Sequence, residues 1–209
     1  MDSAEKHSLL GEAPLTLTPA VGDGATPDGA DMPVLLLLGD GPEARALARL
    51  AAECGFAVDM AVWGAGVPQG ATDGGEPGEA DAAAPDIPGL RRHIRLLPGE
   101  SPVERCAVGR RHYVCIFPPD EETAESALED VLSSHAFYVG LWATRAEREL
   151  VWGALRAAGV PDAELAAVRC PLGLGDLADM GGPMASAVPV LAELLAARAG
   201  SRQRFRLED

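Results

Sequence analysis

The run Pro33-Val34-Leu35-Leu36-Leu37-Leu38, which breaks on Gly39-Asp40-Gly41-Pro42-Glu43-Ala44, constrains the fold of this chain more than any other stretch. Apolar residues in an unbroken row, with no polar alternation, require cover on both faces, as a central strand of a parallel sheet has. Gly39 permits a tight turn after the strand, Gly41 permits close approach of backbone to a ligand, and Ala44 is the third small residue, where the following helix packs on the sheet. Pro42 suits a first helical turn, where its missing N–H costs little. Leu47, Leu50, Ala51 and Cys54 recur at helical spacing and predict one buried face, and Gly55 supplies the stop. A second apolar run, Phe56 to Trp63, follows. The unit predicts an α/β fold of Rossmann-like, doubly wound type: a mostly parallel sheet with helices on both faces.

The same unit leaves its chemistry open. A Gly-x-Gly turn at a helix N-terminus is where the pyrophosphate of a dinucleotide sits. Asp40 and Glu43 place carboxylates there, which oppose an anion and suit the positive end of the helix itself. An acid for the ribose hydroxyls belongs at the end of the second strand, about 20 residues past the glycines. Val62-Trp63-Gly64 stands there instead, and Asp59 falls too early. A bound dinucleotide and a Rossmann core that keeps its shape without a ligand both agree with these residues.

At 209 residues the chain holds one sizeable α/β domain plus tails. The expected organisation is a mobile arm over 1–32, the domain over 33–200 and a tail over 201–209. The arm contains one alternation, Leu15-Thr16-Leu17-Thr18, with the pattern of an edge strand. A net charge of -15 repels phosphate, which argues against nucleic acid or an anionic membrane as partner. Cys54, Cys106, Cys115 and Cys170 include no Cys-x-x-Cys pair and no Cys/His ligand spacing, so no metal site is expected. With no signal-type start and no bilayer-length apolar run, the expected location is cytoplasmic, with reduced thiols.

Gly64 to Gly89 is rich in Gly, Ala, Pro and acids, and no Lys or Arg occurs between Arg49 and Arg91. That composition predicts a long acidic flexible loop where a second crossover helix would ordinarily stand. His93 to Leu97 alternates as a short edge strand, and Arg111 to Phe117 reads as a buried one, closed by Pro118-Pro119. Asp120-Glu121-Glu122 charges the start of a helix over Thr123–Ser134, whose apolar face is Ala124, Ala127, Leu128 and Val131. Ala136 to Trp142 is the next strand, and Thr144 N-caps a helix through Ala158. Thr144 and Arg145 therefore lie at a strand's carboxyl end, where ligand binding and simple capping are both open readings.

A short helical turn over Asp162–Ala167 follows, then a last strand at Val168-Arg169-Cys170 and a Gly-rich turn from Pro171 to Asp176. Met184 to Ala199 is the last helix, regular only from about Ser186 because of Pro189. Arg202, Arg204 and Arg206 make a basic tail. Cys54 and Cys115 are expected at core-facing positions. Cys170 reads either as packing or as a thiol at the crevice, which would need a pKa lowered by Arg169. His7 falls in the arm, while His93, His112 and His135 are expected to begin strands, away from the carboxyl-end crevice. None is placed as a general acid or base for nicotinamide chemistry.

Taken together, the run Val34 to Phe56, Ser134-His135-Ala136-Phe137-Tyr138-Val139-Gly140, Leu155-Arg156-Ala157-Ala158-Gly159, Cys170-Pro171-Leu172-Gly173-Leu174 and Val190-Leu191-Ala192-Glu193-Leu194-Leu195-Ala196 resemble the C-terminal Rossmann domain of the XdhC/CoxI family, the xanthine dehydrogenase accessory proteins. The resemblance covers most of Met32 to Gly200. It implies a maturation factor, often dimeric, that binds molybdenum cofactor and delivers it to the apo-subunit of a molybdenum hydroxylase; NAD(P) is the lesser alternative. It also implies a ligand crevice faced by Gly39, Gly41, Thr144, Arg145, Pro171 and Gly173, with Asp40 and Pro42 in the same loop. Where the family has Thr-His-Asp after its fourth strand, this chain has Pro118-Pro119-Asp120, and Gly-Ser-Arg/Lys after the fifth is Ala143-Thr144-Arg145. The family's acid and base closing the second strand are replaced by Val62-Trp63-Gly64, and the arm is too short for the family's cysteine-bearing N-terminal domain.

Overall fold

The computed structural model describes residues 32–64, 86–173 and 181–205, the side chains of 201–205 excepted. The described residues form one five-stranded sheet of β1 (Val34–Leu38), β2 (Ala57–Trp63), β3 (Leu90–Leu96), β4 (His112–Ile116) and β5 (Tyr138–Leu141). Their order is β3-β2-β1-β4-β5, and every pairing is parallel. Six helices connect and cover them: α1 (Pro42–Glu53), α2 (Pro102–Cys106), α3 (Glu121–Leu132), α4 (Arg145–Ala157), α5 (Asp162–Leu165) and α6 (Pro183–Phe205). The doubly wound α/β arrangement read from the sequence is the one observed.

The unbroken apolar run does what its pattern requires. All of β1 is buried, and alternate leucines feed opposite layers. Leu35 and Leu37 pack with Leu47 and Ala51 of α1 and Val190, Leu191 and Leu194 of α6. Leu36 and Leu38 pack with Leu128 and Val131 of α3 and Trp152 and Leu155 of α4. With aromatics only 4% of the chain, such aliphatic contacts carry the core, each full leucine burial stabilising by about 2 kcal/mol. The few aromatics are grouped: Tyr113 meets Phe56 edge-on at 5.4 Å and Phe137 at 5.0 Å between ring centroids.

Several details differ from expectation. Cys54 is exposed, because it is the C-cap of α1 rather than the last rung of its buried face. Arg198 from α6 donates to the Cys54 carbonyl at 3.1 Å and lies over the Phe56 ring, so a cation closes the carbonyl end of α1. His93 lies in mid-strand and His135 in the turn before β5; only His112 begins a strand. The loop expected to run to Gly89 re-enters the core earlier, since Ile87 is buried. Gly89, at φ +81°, backs so closely on α1 that a Cβ there would lie 2.5 Å from that of Ala52.

Helix α2 escaped the sequence reading because it is five residues long, too short for periodicity to show. Its local signal is Ser101-Pro102, with the Ser101 hydroxyl accepting from the Glu104 N–H at 3.1 Å. Pro189 sits inside α6 instead of delaying it: the helix begins at Pro183. The last strand is reduced to one bridge between Arg169 and Gly140. The remaining loop and arm predictions, over 1–31, 65–85, 174–180 and 206–209, lie outside the described residues, as does the Leu15–Thr18 alternation.

Candidate functional site

The strand order reverses between β1 and β4, and in open α/β sheets the ligand crevice forms at such a switch point, beyond the carboxyl ends of the strands. Backbone hydrogen bonds extend the sheet past those ends. Gly39 N–H donates to the Ala61 carbonyl at 2.8 Å, Phe117 N–H to Leu38 at 2.7 Å, Trp142 N–H to Ile116 at 2.8 Å and Leu172 N–H to Leu141 at 3.2 Å. The turns that carry Gly39, Asp40, Gly41 and Pro42, Thr144 and Arg145, and Pro171 and Gly173 are thus pinned along one edge. Phe117 and Trp142 stack between them, 5.6 Å apart.

The individual residues divide between scaffold and site. Gly39 has φ +114°, and a Cβ there would lie 2.2 Å from the Phe117 carbonyl oxygen, so the neighbouring turn demands glycine. Gly41 is different: its φ of -56° suits any residue, and an added Cβ would meet only the Glu43 carboxylate, at 3.8 Å. Space is open above it, and the N-terminus of α1 that follows has no side-chain cap. Asp40 is neutralised by Arg45, which donates Nη2 to the carboxylate at 2.8 Å and Nε to the Asp40 carbonyl at 2.7 Å. Both partners are about half exposed, so the pair adds at most about 1 kcal/mol, but it removes one of the two charges that the sequence set against an anion. The uncapped helix N–H groups suit the anionic end of a phosphate-bearing ligand; Glu43 opposes it.

Thr144 is a cap. Its hydroxyl accepts from the Glu147 N–H at 3.3 Å, while its own N–H donates to Glu147 Oε2 at 2.7 Å. These bonds close a capping box at the start of α4 and hold the Glu147 carboxyl below its usual range. Thr144→Ala is expected to cost about 1 kcal/mol in urea unfolding. Asp120 serves α3 in the same way, accepting from the Thr123 N–H at 2.8 Å. Arg145, the first residue of α4, is exposed.

The turn at residues 170–173 is fastened from two sides. Arg148 of α4 donates to the Cys170 carbonyl at 3.2 Å, and Glu193 of α6 accepts from the Gly173 N–H at 3.1 Å while facing Arg169 at 3.6 Å. Leu172 fills the space over Gly140, where a Cβ would lie 2.3 Å from Leu172 Cδ2. The Val-Gly strand end, the Pro-Leu-Gly turn and the Leu-Ala-Glu helix are therefore one interlocked unit. The sequence pattern that contains Glu193 does not by itself reveal its part in shaping this turn; its signal is an acid among the apolar neighbours Val190, Leu191 and Leu194. Glu193→Ala is expected to cost about 1–2 kcal/mol and to speed amide exchange at Gly173, read by hydrogen exchange.

Cys170 is not an activated thiol. Burial pushes it up to about 12, against a smaller opposite pull from Arg148 rather than Arg169, so it is protonated at neutral pH and packs. Burial likewise pushes the Cys106 thiol up to about 11. Among the described residues no group of three or more His, Cys, Asp or Glu side chains converges to hold a metal, and no helix is long and apolar enough to cross a membrane.

Asp59, too early in its strand to meet a ribose, has another role. It is wholly buried in the amino half of β2, where Arg91 and Arg92 of β3 both clamp its carboxylate. The bonds are Arg91 Nε to Oδ1 at 2.8 Å, Arg91 Nη2 to Oδ2 at 2.5 Å, and Arg92 Nε and Nη2 to Oδ2 at 3.0 and 2.6 Å. This cluster lies at the edge opposite the crevice. A charged residue inside an apolar strand, followed one strand later by paired arginines, was the available signal.

The fold and the switch-point crevice define an open, doubly wound parallel α/β domain of Rossmann type. Residues 35–194 match the profile of the XdhC Rossmann domain, and the chain belongs to that family. No curated protein matches it. Among solved structures, it is similar in fold to a crystal structure described as a xanthine dehydrogenase from Bacillus halodurans, with a TM-score of 0.61 and 18% identity. The match covers 81% of this chain and 43% of that one, so this chain corresponds to less than half of that protein.

Proposed function

We propose that this chain is an accessory factor for a molybdenum hydroxylase of the xanthine dehydrogenase type, holding the enzyme's molybdopterin-type cofactor as cargo at the carboxyl edge. The observation that carries the reading is the family match over 35–194, whose signature pieces meet in the unit made by Gly140, Leu172, Gly173 and Glu193. The open space above Gly41 and the uncapped start of α1 would receive the phosphate of the cargo. Arg145 would add positive charge. Gly39, Pro171 and Gly173 would shape the wall, and the apo-hydroxylase subunit would be the partner that accepts delivery in the cytoplasm.

A second reading, a Rossmann domain that acts only through protein contacts, is favoured by one set of observations: Thr144 and Asp120 are committed to helix caps. Native mass spectrometry of protein purified from its own host separates the two. A molybdopterin-type mass that disappears in Arg145→Ala supports cargo binding. A nicotinamide dinucleotide in its place points to an oxidoreductase. An empty chain that still captures the hydroxylase subunit supports the scaffold reading.

A further inference from the structure

Aromatic side chains are scarce in this chain, at 4% of its residues, and the described ones with ring contacts fall into two groups. Phe56, Tyr113, Phe137 and Tyr138 cluster in the layer under α1 and α6. The second group is the stack of Phe117 on Trp142, one residue past the carboxyl ends of β4 and β5, at the crevice. We propose that Trp142, backed by Phe117, is the platform on which a flat heteroaromatic ring of the cargo stacks, so that the cargo lies with its phosphate at α1 and its ring toward β5. The proposal rests on the accessory-factor reading for the phosphate end and adds to it the ring subsite and the orientation.

Strand alternation sets where these rings point. Ile116 and Leu141, the last residues of β4 and β5, pack toward α3 and α4, so the residue after each turns to the opposite face. The bonds from Phe117 N–H to the Leu38 carbonyl at 2.7 Å and from Trp142 N–H to Ile116 at 2.8 Å hold both in line with their strands. Both side chains accordingly join the α1–α6 layer, the face on which α1 opens the crevice. Trp63, which ends β2, packs into the other layer. Phe117 is 8% exposed, while Trp142 is only partly buried. With ring centroids 5.6 Å apart and 29° between the planes, Phe117 covers one side of the indole, and the surface that Trp142 leaves to solvent faces away from it.

Strand spacing then gives a length. β1, β4 and β5 are successive neighbours, and adjacent strands lie about 4.8 Å apart, so a ligand that begins over the turn after β1 and ends over Trp142 crosses about 10 Å. A phosphate joined to a flat ring through a short arm has that reach, whereas inorganic phosphate does not. The electron-rich face of an indole stacks with an offset on electron-poor rings, and stacking tolerates many hydrogen-bonding patterns at the ring edge. The chemistry selected is a phosphomonoester of a bicyclic heteroaromatic compound, the pterin class among them.

Isothermal titration of the full chain tests this with three probes: neopterin 3′-monophosphate, which has ring and phosphate, neopterin, which has the ring alone, and glycerol 3-phosphate, which has the phosphate alone. One-to-one binding of neopterin monophosphate is expected, with quenching of tryptophan emission. Trp142→Ala should weaken it about tenfold or more while leaving glycerol 3-phosphate unchanged, and Trp142→Phe, which keeps an aromatic face, should restore most of the affinity. Binding of neopterin monophosphate that is unaltered in Trp142→Ala, or a loss equal for all three probes, overturns the platform and leaves the accessory-factor reading standing. Neopterin that binds through Trp142 with no gain from the phosphate keeps the platform and overturns the phosphate end of that reading; no binding of any probe overturns both. Should Trp142→Ala fail to fold, the indole ¹⁵N–¹H resonance of Trp142 in the unmodified protein, assigned by its absence in Trp142→Phe, decides. A ring-current shift on addition of neopterin monophosphate is expected, and an unmoved resonance overturns the platform.

Discussion

Gly39→Ala is expected to destabilise the domain by about 3 kcal/mol or more, enough to remove a large part of the stability of a domain this size. Two costs add. The backbone at φ +114° lies outside the range that a residue with a Cβ tolerates, and the new methyl would sit 2.2 Å from the Phe117 carbonyl oxygen. That atom belongs to a backbone already fixed by the bond from Phe117 N–H to the Leu38 carbonyl, so it cannot swing aside as a side-chain tip would. The gain from restricting the unfolded chain, about 0.4–1 kcal/mol, is too small to offset them. Gly41→Ala is the control: at φ -56° with open space above it, it is expected to cost about 1 kcal/mol or less as a poorer N-cap. Urea unfolding of both variants separates the two glycines, which look alike in the sequence. If Gly41 guards the approach of cargo, its variant loses ligand while keeping its fold.

That contrast shows what was legible in the chain and what was not. The run from Val34 to Leu38 specified a strand buried on both faces, because burial by two helical layers is a requirement on residue type alone. The family resemblance likewise located the turns that share the carboxyl edge. Duties set by partners distant in sequence stayed hidden. Gly39 is required by Phe117, Gly140 by Leu172 and Glu193 by the Gly173 amide, and none of these pairings leaves a local periodicity. Thr144 was legible as a cap, and its bonds to Glu147 show the cap in place. Cys54 was misplaced because helical spacing continues on paper past the point where α1 ends. The Arg91-Arg92 pair is plain in the sequence, but its partner Asp59 lies 32 and 33 residues earlier, so no local pattern joins them.

Asp59→Asn is expected to cost about 3–5 kcal/mol at neutral pH, because it removes the carboxylate and leaves two guanidiniums facing each other with no counter-charge. Burial alone would raise the Asp59 carboxyl, but the hydrogen bonds and charges of Arg91 and Arg92 outweigh it and hold the group below the usual 3.8. The sign of the pH dependence follows. A carboxyl whose folded pKa is lowered contributes its full stabilisation above the unfolded value, and that contribution is lost as pH falls from there through the folded value. The wild type should therefore lose stability steeply below about pH 4, whereas Asp59→Asn should start lower and show a flatter acid limb. Urea unfolding across pH 3 to 7 reads this as a gap between the proteins that narrows toward acid. A double-mutant cycle assigns the cause. Arg91→Gln in the Asp59→Asn background should cost much less than in the wild type, since the remaining partner no longer faces an uncompensated like charge. A gap of constant size at every pH, with additive single effects, would mean that Asp59 acts through its shape and not its charge.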